Sequence, residues 1–147
     1  MTTRSPESDT LLEQLERSLS DTLVAQSTLG RRADSFDEPG FAERKRGDLV
    51  FVQGRGDRLH AILCAGPAEL SDDDLLGRFA DVDVNWAWLA VAGEDVPAAI
   101  ILGEQHRFGV LSVGKEIAKV HSAPPRPGIF IKQYPALRKE WRQIESW

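Results

Sequence analysis

The residues of this sequence that carry nucleophilic or metal-binding chemistry in other proteins are few and widely spaced. The three histidines, His60, His106 and His121, stand alone, and the single cysteine, Cys64, lies at no usual zinc-ligand spacing from them. His60 falls in the middle of a β-rich run, where we interpret it as structural or surface-facing rather than as a base. Cys64 also falls in such a run, which favours a buried, inert thiol, because a nucleophilic thiol needs a nearby base or positive field. These residues predict neither a zinc site nor a nucleophilic centre.

Two short patterns resemble parts of ligand-binding motifs. The run 54–56 is Gly-Arg-Gly, which lacks the further glycine and the Gly-Lys-Ser/Thr ending of phosphate loops and is typical of a hairpin turn. Three aspartates occupy positions 72–74 directly after Ser71. Consecutive side chains at a helix start point in different directions, so we interpret Ser71 as the capping residue and the carboxylates as partners of the positive helix end. We therefore expect no bound metal and no cofactor from these patterns.

The charge of the chain leaves nucleic acid open as a partner. The net charge of −5 argues against a surface covered in phosphate-binding residues, but binding depends on a local patch. Basic residues cluster before the first β-rich run and near the C-terminus, where solvated surface charge is the favoured interpretation. If DNA is bound, the candidate contacts are Arg44, Lys45, Arg46, Arg126, Lys132, Arg138, Lys139 and Arg142.

Length and composition are those of one ordinary globular domain. The chain has 147 residues, 41% of them apolar and 28% charged, which allows a hydrophobic core without disulfides. Its apolar runs are too short to cross a bilayer, and residues 1–9 lack the apolar stretch of a signal peptide. We expect a cytoplasmic protein with no membrane partner.

The periodicity of apolar residues changes from helical to extended along the chain. Leucines at spacings of three and four predict a first helix from Thr10 to about Leu29, with Gly30 as its stop and a polar connection over residues 31–47. Two β-rich runs, 48–53 and 58–65, predict a hairpin whose strands are covered on both faces. The remaining predicted elements are a helix from 71 to about 82, a strand over 85–92, a helix over 96–106, and strands over 108–113 and 116–120. This order of helix, hairpin, helix, strand, helix and strand indicates a mixed α/β sheet.

The C-terminal region differs from the rest. Residues 124–128 are proline-rich and predict a stiff linker, followed by a helix that opens at Pro135. We divide the chain into a flexible N-terminus (1–8), an α/β domain (9–123), and a linker with an amphipathic helix (124–147). The amphipathic pattern of that helix predicts a contact with a second copy or a partner protein. Packing of its tryptophan back on the domain is the alternative. Its candidate interface residues are Leu137, Trp141 and Ile144.

The order of elements over residues 10–123 resembles the PD-(D/E)xK superfamily of restriction-endonuclease-like nucleases. The resemblance is carried by Gly47-Asp48 opening a hairpin, by the second hairpin strand ending at Gly66, by the apolar run after Asp83, and by the strand that begins at Phe108. It implies a single mixed-sheet α/β domain of restriction-endonuclease-like type with a C-terminal helical tail.

The same resemblance implies that the hydrolytic site is lost. In the family, an aspartate on the first hairpin strand and an acid-x-lysine on the second bind Mg²⁺ and stabilise the developing charge. Asp48 matches the first aspartate, but the acid and lysine positions fall on Leu63 and Ala65. In the active alternative, a carboxylate has moved and Mg²⁺ is required. Its catalytic residues would be Asp48 with Glu43 or Glu69, and Lys45 as the nearest lysine.

Three functional hypotheses follow. The leading one is a non-catalytic nuclease-fold module acting in nucleic-acid binding, protein–protein assembly or both. The second is a Mg²⁺-dependent nuclease with a relocated carboxylate. The third is a structural or regulatory subunit that does not bind nucleic acid.

Overall fold

The protein forms one mixed β-sheet whose strands follow chain order. A computed structural model describes residues 10–11, 13–14, 30–32, 49–53, 58–114 and 117–130. Within these residues, β1, β2 and β3 pair antiparallel, β3, β4 and β5 pair parallel, and β6 returns antiparallel to β5. The strands are β1 (Gly30–Arg32), β2 (Leu49–Gln53), β3 (Leu59–Cys64), β4 (Trp86–Val91), β5 (Gly109–Val113) and β6 (Ile117–His121).

Helices connect the two parallel strand pairs, because parallel neighbours need a crossover. α1 (Pro67–Leu70) and α2 (Asp73–Ala80) join β3 to β4, and α3 (Val96–His106), preceded by a 3₁₀ turn at Gly93–Asp95, joins β4 to β5. Both crossovers advance in the same direction along the sheet, so right-handed connections place both on one face. The mixed α/β class predicted from the sequence is confirmed, as are the bounds predicted for α3.

The strands β3, β4 and β5 are buried on both faces of the sheet at nearly every position. On the helix-covered face, residues of α2 and α3 pack against alternate residues of β3 and β4, with Phe79 and Phe108 rings 5.0 Å apart. On the opposite face a second apolar cluster includes Ile62, Trp88 and Leu111, and Leu11 from the N-terminal helical residues packs there. Continuous apolar runs such as 61–65 are therefore fully buried, as strands covered on two faces require.

The connection predicted over residues 31–47 was wrong at its start. Gly30–Arg32 forms β1, which pairs with β2 in the register Gly30↔Val52 and Arg32↔Val50. A strand of three polar or small residues has no apolar alternation to identify it, since what defines it is backbone pairing with its neighbour. Short, charged strands of this kind are common at sheet edges.

The assignment of Ser71 as the N-cap of the helix predicted over 71–82 was also wrong. Pro67 opens α1 at a position where its missing N–H is not needed, and Ser71 closes that helix by donating its Oγ–H to the Pro67 carbonyl at 2.9 Å. The N-cap of α2 is Asp72, whose Oδ1 accepts from the Leu75 N–H at 3.1 Å. The cap is therefore one residue later than predicted, while Asp73 and Asp74 lie in the first turn, beside the positive helix end.

Asp95 holds the N-cap position of α3 without a capping bond from its side chain to the described residues of that helix. Pro97 lies in the first turn and fixes the backbone there.

Candidate functional site

The positions that the nuclease resemblance assigns to an acid and a lysine lie inside the hydrophobic core. Leu63, in β3, is 1% exposed and Ala65, just beyond its end, is fully buried, both in the cluster beneath the helices. The Ala65 N–H donates to the Ala90 carbonyl at 2.9 Å, which continues the parallel pairing with β4 past the end of β3. Neither side chain carries a ligand atom, and both are sealed from solvent.

Glu69, the relocated carboxylate of the active alternative, has a structural contact. It is 4% exposed, and its Oε1 accepts from the Gly66 N–H at 3.0 Å at the start of α1. A buried carboxylate in a capping bond stabilises the turn between β3 and α1.

The other predicted catalytic residues, Asp48, Glu43 and Lys45, lie outside the described residues. Within the part of the chain that the structure describes, no three His, Cys, Asp or Glu side chains are grouped so as to hold a metal ion. Of the predicted nucleic-acid contacts, only Arg126 falls in the described ranges. Those outside them are Arg44, Lys45, Arg46, Lys132, Arg138, Lys139 and Arg142, together with the interface residues Leu137, Trp141 and Ile144.

Arg126 is half-buried and bound to the main chain of the domain. Its Nη1 donates to the carbonyls of Ala80 and Val82, at 3.1 and 3.2 Å, where α2 ends. Burial lowers the pKa of this guanidinium, and the positive charge of Arg107 lowers the pKa further, while Asp81 acts in the opposite direction. Two arginines are thus held near each other where the chain enters β4 and β5.

The segment predicted as a stiff linker is fastened to the domain by Asn85. This side chain is 3% exposed; its Oδ1 accepts from the Leu59 N–H at 2.9 Å, and its Nδ2 donates to the Arg126 and Gly128 carbonyls, both at 3.0 Å. The Arg126 N–H returns a bond to the Asn85 carbonyl at 2.8 Å. We call these four bonds the Asn85 clasp. They hold residues 126–128 against the N-terminal ends of β3 and β4.

Gly128 shapes the end of the clasp. Its φ of +140° is a conformation that favours glycine, and a Cβ there would lie 2.8 Å from the Phe130 ring. Phe130 itself packs against the core beneath the helices. The proline-rich segment therefore crosses the strand ends from the face that contains Ala123 to the face that contains Phe130.

An aromatic cluster lies on the sheet face opposite α2 and α3. His60 and Trp86 are register partners in β3 and β4, and their rings stack with centroids 4.3 Å apart and planes 17° apart. The Trp88 Nε1–H donates to His60 Nδ1 at 3.0 Å. Arg58, directly before β3, is exposed and places its guanidinium carbon 5.9 Å from the centre of the Trp86 ring, within cation–π range. These four residues are the aromatic cluster.

Gly109 makes room for this arrangement. In β5 it pairs with Trp88, and a Cβ at Gly109 would lie 2.3 Å from the Trp88 ring and 2.7 Å from the Ala123 nitrogen. Trp88 can therefore lie flat over β5 and aim its Nε1–H at β3. The indole is 4% exposed and belongs to the core.

His60 is a neutral acceptor in this cluster. Burial lowers its pKa from 6.5 to about 4, so the ring is uncharged at neutral pH. Because Nδ1 accepts from Trp88, the ring proton is assigned to Nε2. This agrees with the interpretation of His60 as structural, and it leaves Arg58 as the formal charge of the cluster.

Sequence reasoning missed the aromatic cluster as a unit. The spacing of Trp86 and Trp88 places both on one face of a strand, which is a usable signal. Their meeting with His60, 26 residues before Trp86, depends on the parallel register of β3 and β4, for which the sequence alone carries no mark.

Within the described residues, no helix has both the length and the apolar character needed to cross a membrane.

No family model and no curated protein matches this chain. Among solved structures, a protein of unknown function from Silicibacter pomeroyi is similar with a TM-score of 0.49 and 17% sequence identity. The match covers 66% of this chain and 64% of that one, so less than two thirds of the other protein is represented.

Proposed function

We propose that the protein is a non-hydrolytic module of restriction-endonuclease-like fold that binds nucleic acid. The observation that carries the proposal is the burial of Leu63 and Ala65 at the positions where the resemblance requires an acid and a lysine. A divalent metal needs oxygen ligands that reach solvent and substrate, and two apolar side chains inside the core supply none. The proposal is also supported by the order of a hairpin, a helical crossover, a parallel strand and a second crossover, which the resemblance implies.

Positive charge at the N-terminal ends of β3, β4 and β5 supports nucleic acid as the partner. Arg58 precedes β3, Arg107 precedes β5, and the Asn85 clasp holds Arg126 beside the start of β4. Arginine is suited to phosphate recognition because its planar donors form paired hydrogen bonds. Three separate segments of the chain therefore each place one arginine at this end of the sheet.

Protein–protein assembly is a second candidate, favoured by exposed apolar side chains on and near the helix layer. Ile101 in α3 is 65% exposed and Ile129, beside the Asn85 clasp, is 67% exposed. In α3 only Ala99 and Gly103 are buried, although most of the helix is apolar. Ile101 and Ile129 are therefore the candidates for an apolar contact with a second chain.

The test measures DNA binding, DNA cleavage and, by light scattering, the molecular mass of the protein in solution. Fluorescence anisotropy of labelled single- and double-stranded DNA, with and without Mg²⁺ or Mn²⁺, measures binding, and a denaturing gel of the same samples measures cleavage. Salt-dependent binding without cleavage supports the proposal. Cleavage that disappears in Asp48→Asn would overturn it in favour of the relocated-carboxylate nuclease.

A protein that binds no DNA but self-associates in light scattering would support assembly alone. Ile101→Glu is the matching variant, because a charge at a covered apolar position disrupts an interface and is tolerated on an exposed helix surface. Unchanged self-association in Ile101→Glu would exclude the α3 surface as the contact.

A further inference from the structure

We propose that Trp86, with Arg58 beside it, is a stacking site for one unpaired base of a single-stranded nucleic acid. The inference rests on the proposed nucleic-acid-binding function and assigns that function a place and a substrate class. It concerns a surface that lies on the opposite side of the sheet from α2 and α3.

The indole ring of Trp86 is held in place by neighbouring side chains of the protein. One contact is the stacked imidazole of His60, which is itself fixed by the hydrogen bond from Trp88. Trp88 in turn is buried over Gly109. An indole that is already positioned loses little conformational freedom on binding, so stacking on it is not offset by ordering the side chain.

Trp86 is also the most exposed residue of its strand. It is half-buried, whereas the five following residues of β4 are all buried. Its Nε1–H donates no hydrogen bond to any residue in the described ranges. An apolar ring with a free donor at the end of a strand combines surface for stacking with a polar edge for a base or sugar oxygen.

The charge around Trp86 suits a phosphodiester. The guanidinium carbon of Arg58 lies 5.9 Å from the centre of the Trp86 ring, and because His60 is neutral, Arg58 carries the formal charge of the cluster. Arg107 and Arg126 belong to the same end of the sheet, as do the carboxylates of Asp81 and Asp83. A strand whose base stacks on Trp86 therefore finds a guanidinium within reach of its backbone.

The geometry selects a single strand rather than a duplex. Bases in a duplex are stacked on one another, so a protein ring can stack only on a base that is unpaired. Stacking on an aromatic side chain accepts every base, because each has a π-face, and the neighbouring arginine contacts the backbone. We expect tolerance of base sequence and dependence on salt.

The test measures by anisotropy the affinity of a short labelled oligo(dT) and of a labelled blunt-ended duplex annealed from two complementary strands, which has no unpaired bases. Trp86→Leu removes the ring and keeps apolar volume, and we expect about a 5- to 150-fold loss of affinity for the single strand. Trp86→Phe keeps a ring and should recover most of that affinity. Arg58→Gln should weaken binding and lower the slope of log affinity against log salt by about 0.7, the value for one phosphate contact.

Arg78→Gln is the matched control, since it removes the same charge from α2 on the other face of the sheet, where Arg78 pairs with Asp74. It should leave affinity unchanged. Melting curves of Trp86→Leu and Trp86→Phe separate a binding defect from a folding defect.

The outcomes separate a failure of the stacking site from a failure of the proposed nucleic-acid-binding function. Wild-type binding that is unaffected by Trp86→Leu, or that is equally tight for the blunt-ended duplex, overturns the stacking site while nucleic-acid binding survives. A wild-type protein that binds neither probe overturns the proposed function and the site with it.

Discussion

The side-chain amide of Asn85 donates to the carbonyl of Gly128, which lies 43 residues further along the chain, at 3.0 Å. The same amide group donates to Arg126, and its oxygen accepts from Leu59. One buried side chain thereby ties the start of β3 and the start of β4 to a proline-rich segment that has no regular secondary structure.

Asn85→Ala should destabilise the protein by about 2–4 kcal/mol, because it leaves one buried donor and two acceptors without their partner. Urea unfolding measures the change, and amide hydrogen exchange should accelerate at Leu59 and Arg126. Gln105→Ala removes an amide from an exposed position of α3 and should have little effect. Equal stability of the two variants would show that the clasp contributes nothing.

The stability of the protein should fall as the pH drops from about 6.5 to 4 because of His60. The pKa of this residue is lowered to about 4 in the fold, so between these values the unfolded chain binds a proton that the folded chain does not. The stabilisation present above pH 6.5 is therefore lost on acidification, by up to about 3 kcal/mol.

Urea unfolding at several pH values measures this loss. His60→Phe keeps a ring against Trp86 but cannot titrate, so its stability should depend less steeply on pH in this range. A His60→Phe profile parallel to that of the wild type would contradict the prediction.

Glycine-to-alanine substitutions at positions 109 and 77 should change stability in opposite directions. At Gly109 a Cβ would overlap the Trp88 ring and the Ala123 backbone, which we expect to cost about 1–3 kcal/mol. At Gly77, inside α2, a Cβ meets nothing within 4 Å, so alanine should stabilise the helix by about 0.5–1 kcal/mol. Thermal melting of both variants tests the pair, and a shift of the same sign in each would contradict it.

Arg107→Gly should stabilise the protein by about 1 kcal/mol. Arg107 ends α3 with a φ of 65°, a left-handed conformation that strains residues with a Cβ but suits glycine. The substitution also removes a positive charge near Arg126. Arg107→Ala removes the same charge while keeping the strain, so the difference in melting temperature between the two variants isolates the backbone effect. Identical melting temperatures would contradict it.

Much of the sheet was predictable from the sequence because its strands are apolar runs bounded by polar or small residues. The runs that became β3 and β4 are apolar at nearly every position, and burial on both faces requires that composition. α3 was predicted with its correct bounds because it runs from Val96 to a histidine beyond which the next apolar strand begins. Local composition was sufficient in each of these cases.

Features that depend on distant partners were not predictable. β1 is a strand only because β2 offers it a backbone edge, and the sequence Gly-Arg-Arg carries no alternation. In the sequence, Asn85 is indistinguishable from an ordinary strand start. Its hydrogen-bond partners lie 26, 41 and 43 residues away, so no local pattern indicates them. The stack of His60 on Trp86 follows from parallel register, which local patterns do not encode.

The Asn85 clasp also bears on the order in which the fold can be completed. Every strand neighbours the strands next to it in the chain, so β1 to β5 can pair as each emerges during synthesis. The clasp runs backwards, from residues 126–128 past β6 and β5 to the residue before β4, as do the bonds of Arg126 to Ala80 and Val82. Until Gly128 has been made, the Asn85 side chain, directly before β4, lacks the two carbonyl acceptors of Arg126 and Gly128. The start of β4, in the middle of the sheet, is thus completed only after the six described strands have been made, by a segment that belongs to none of them.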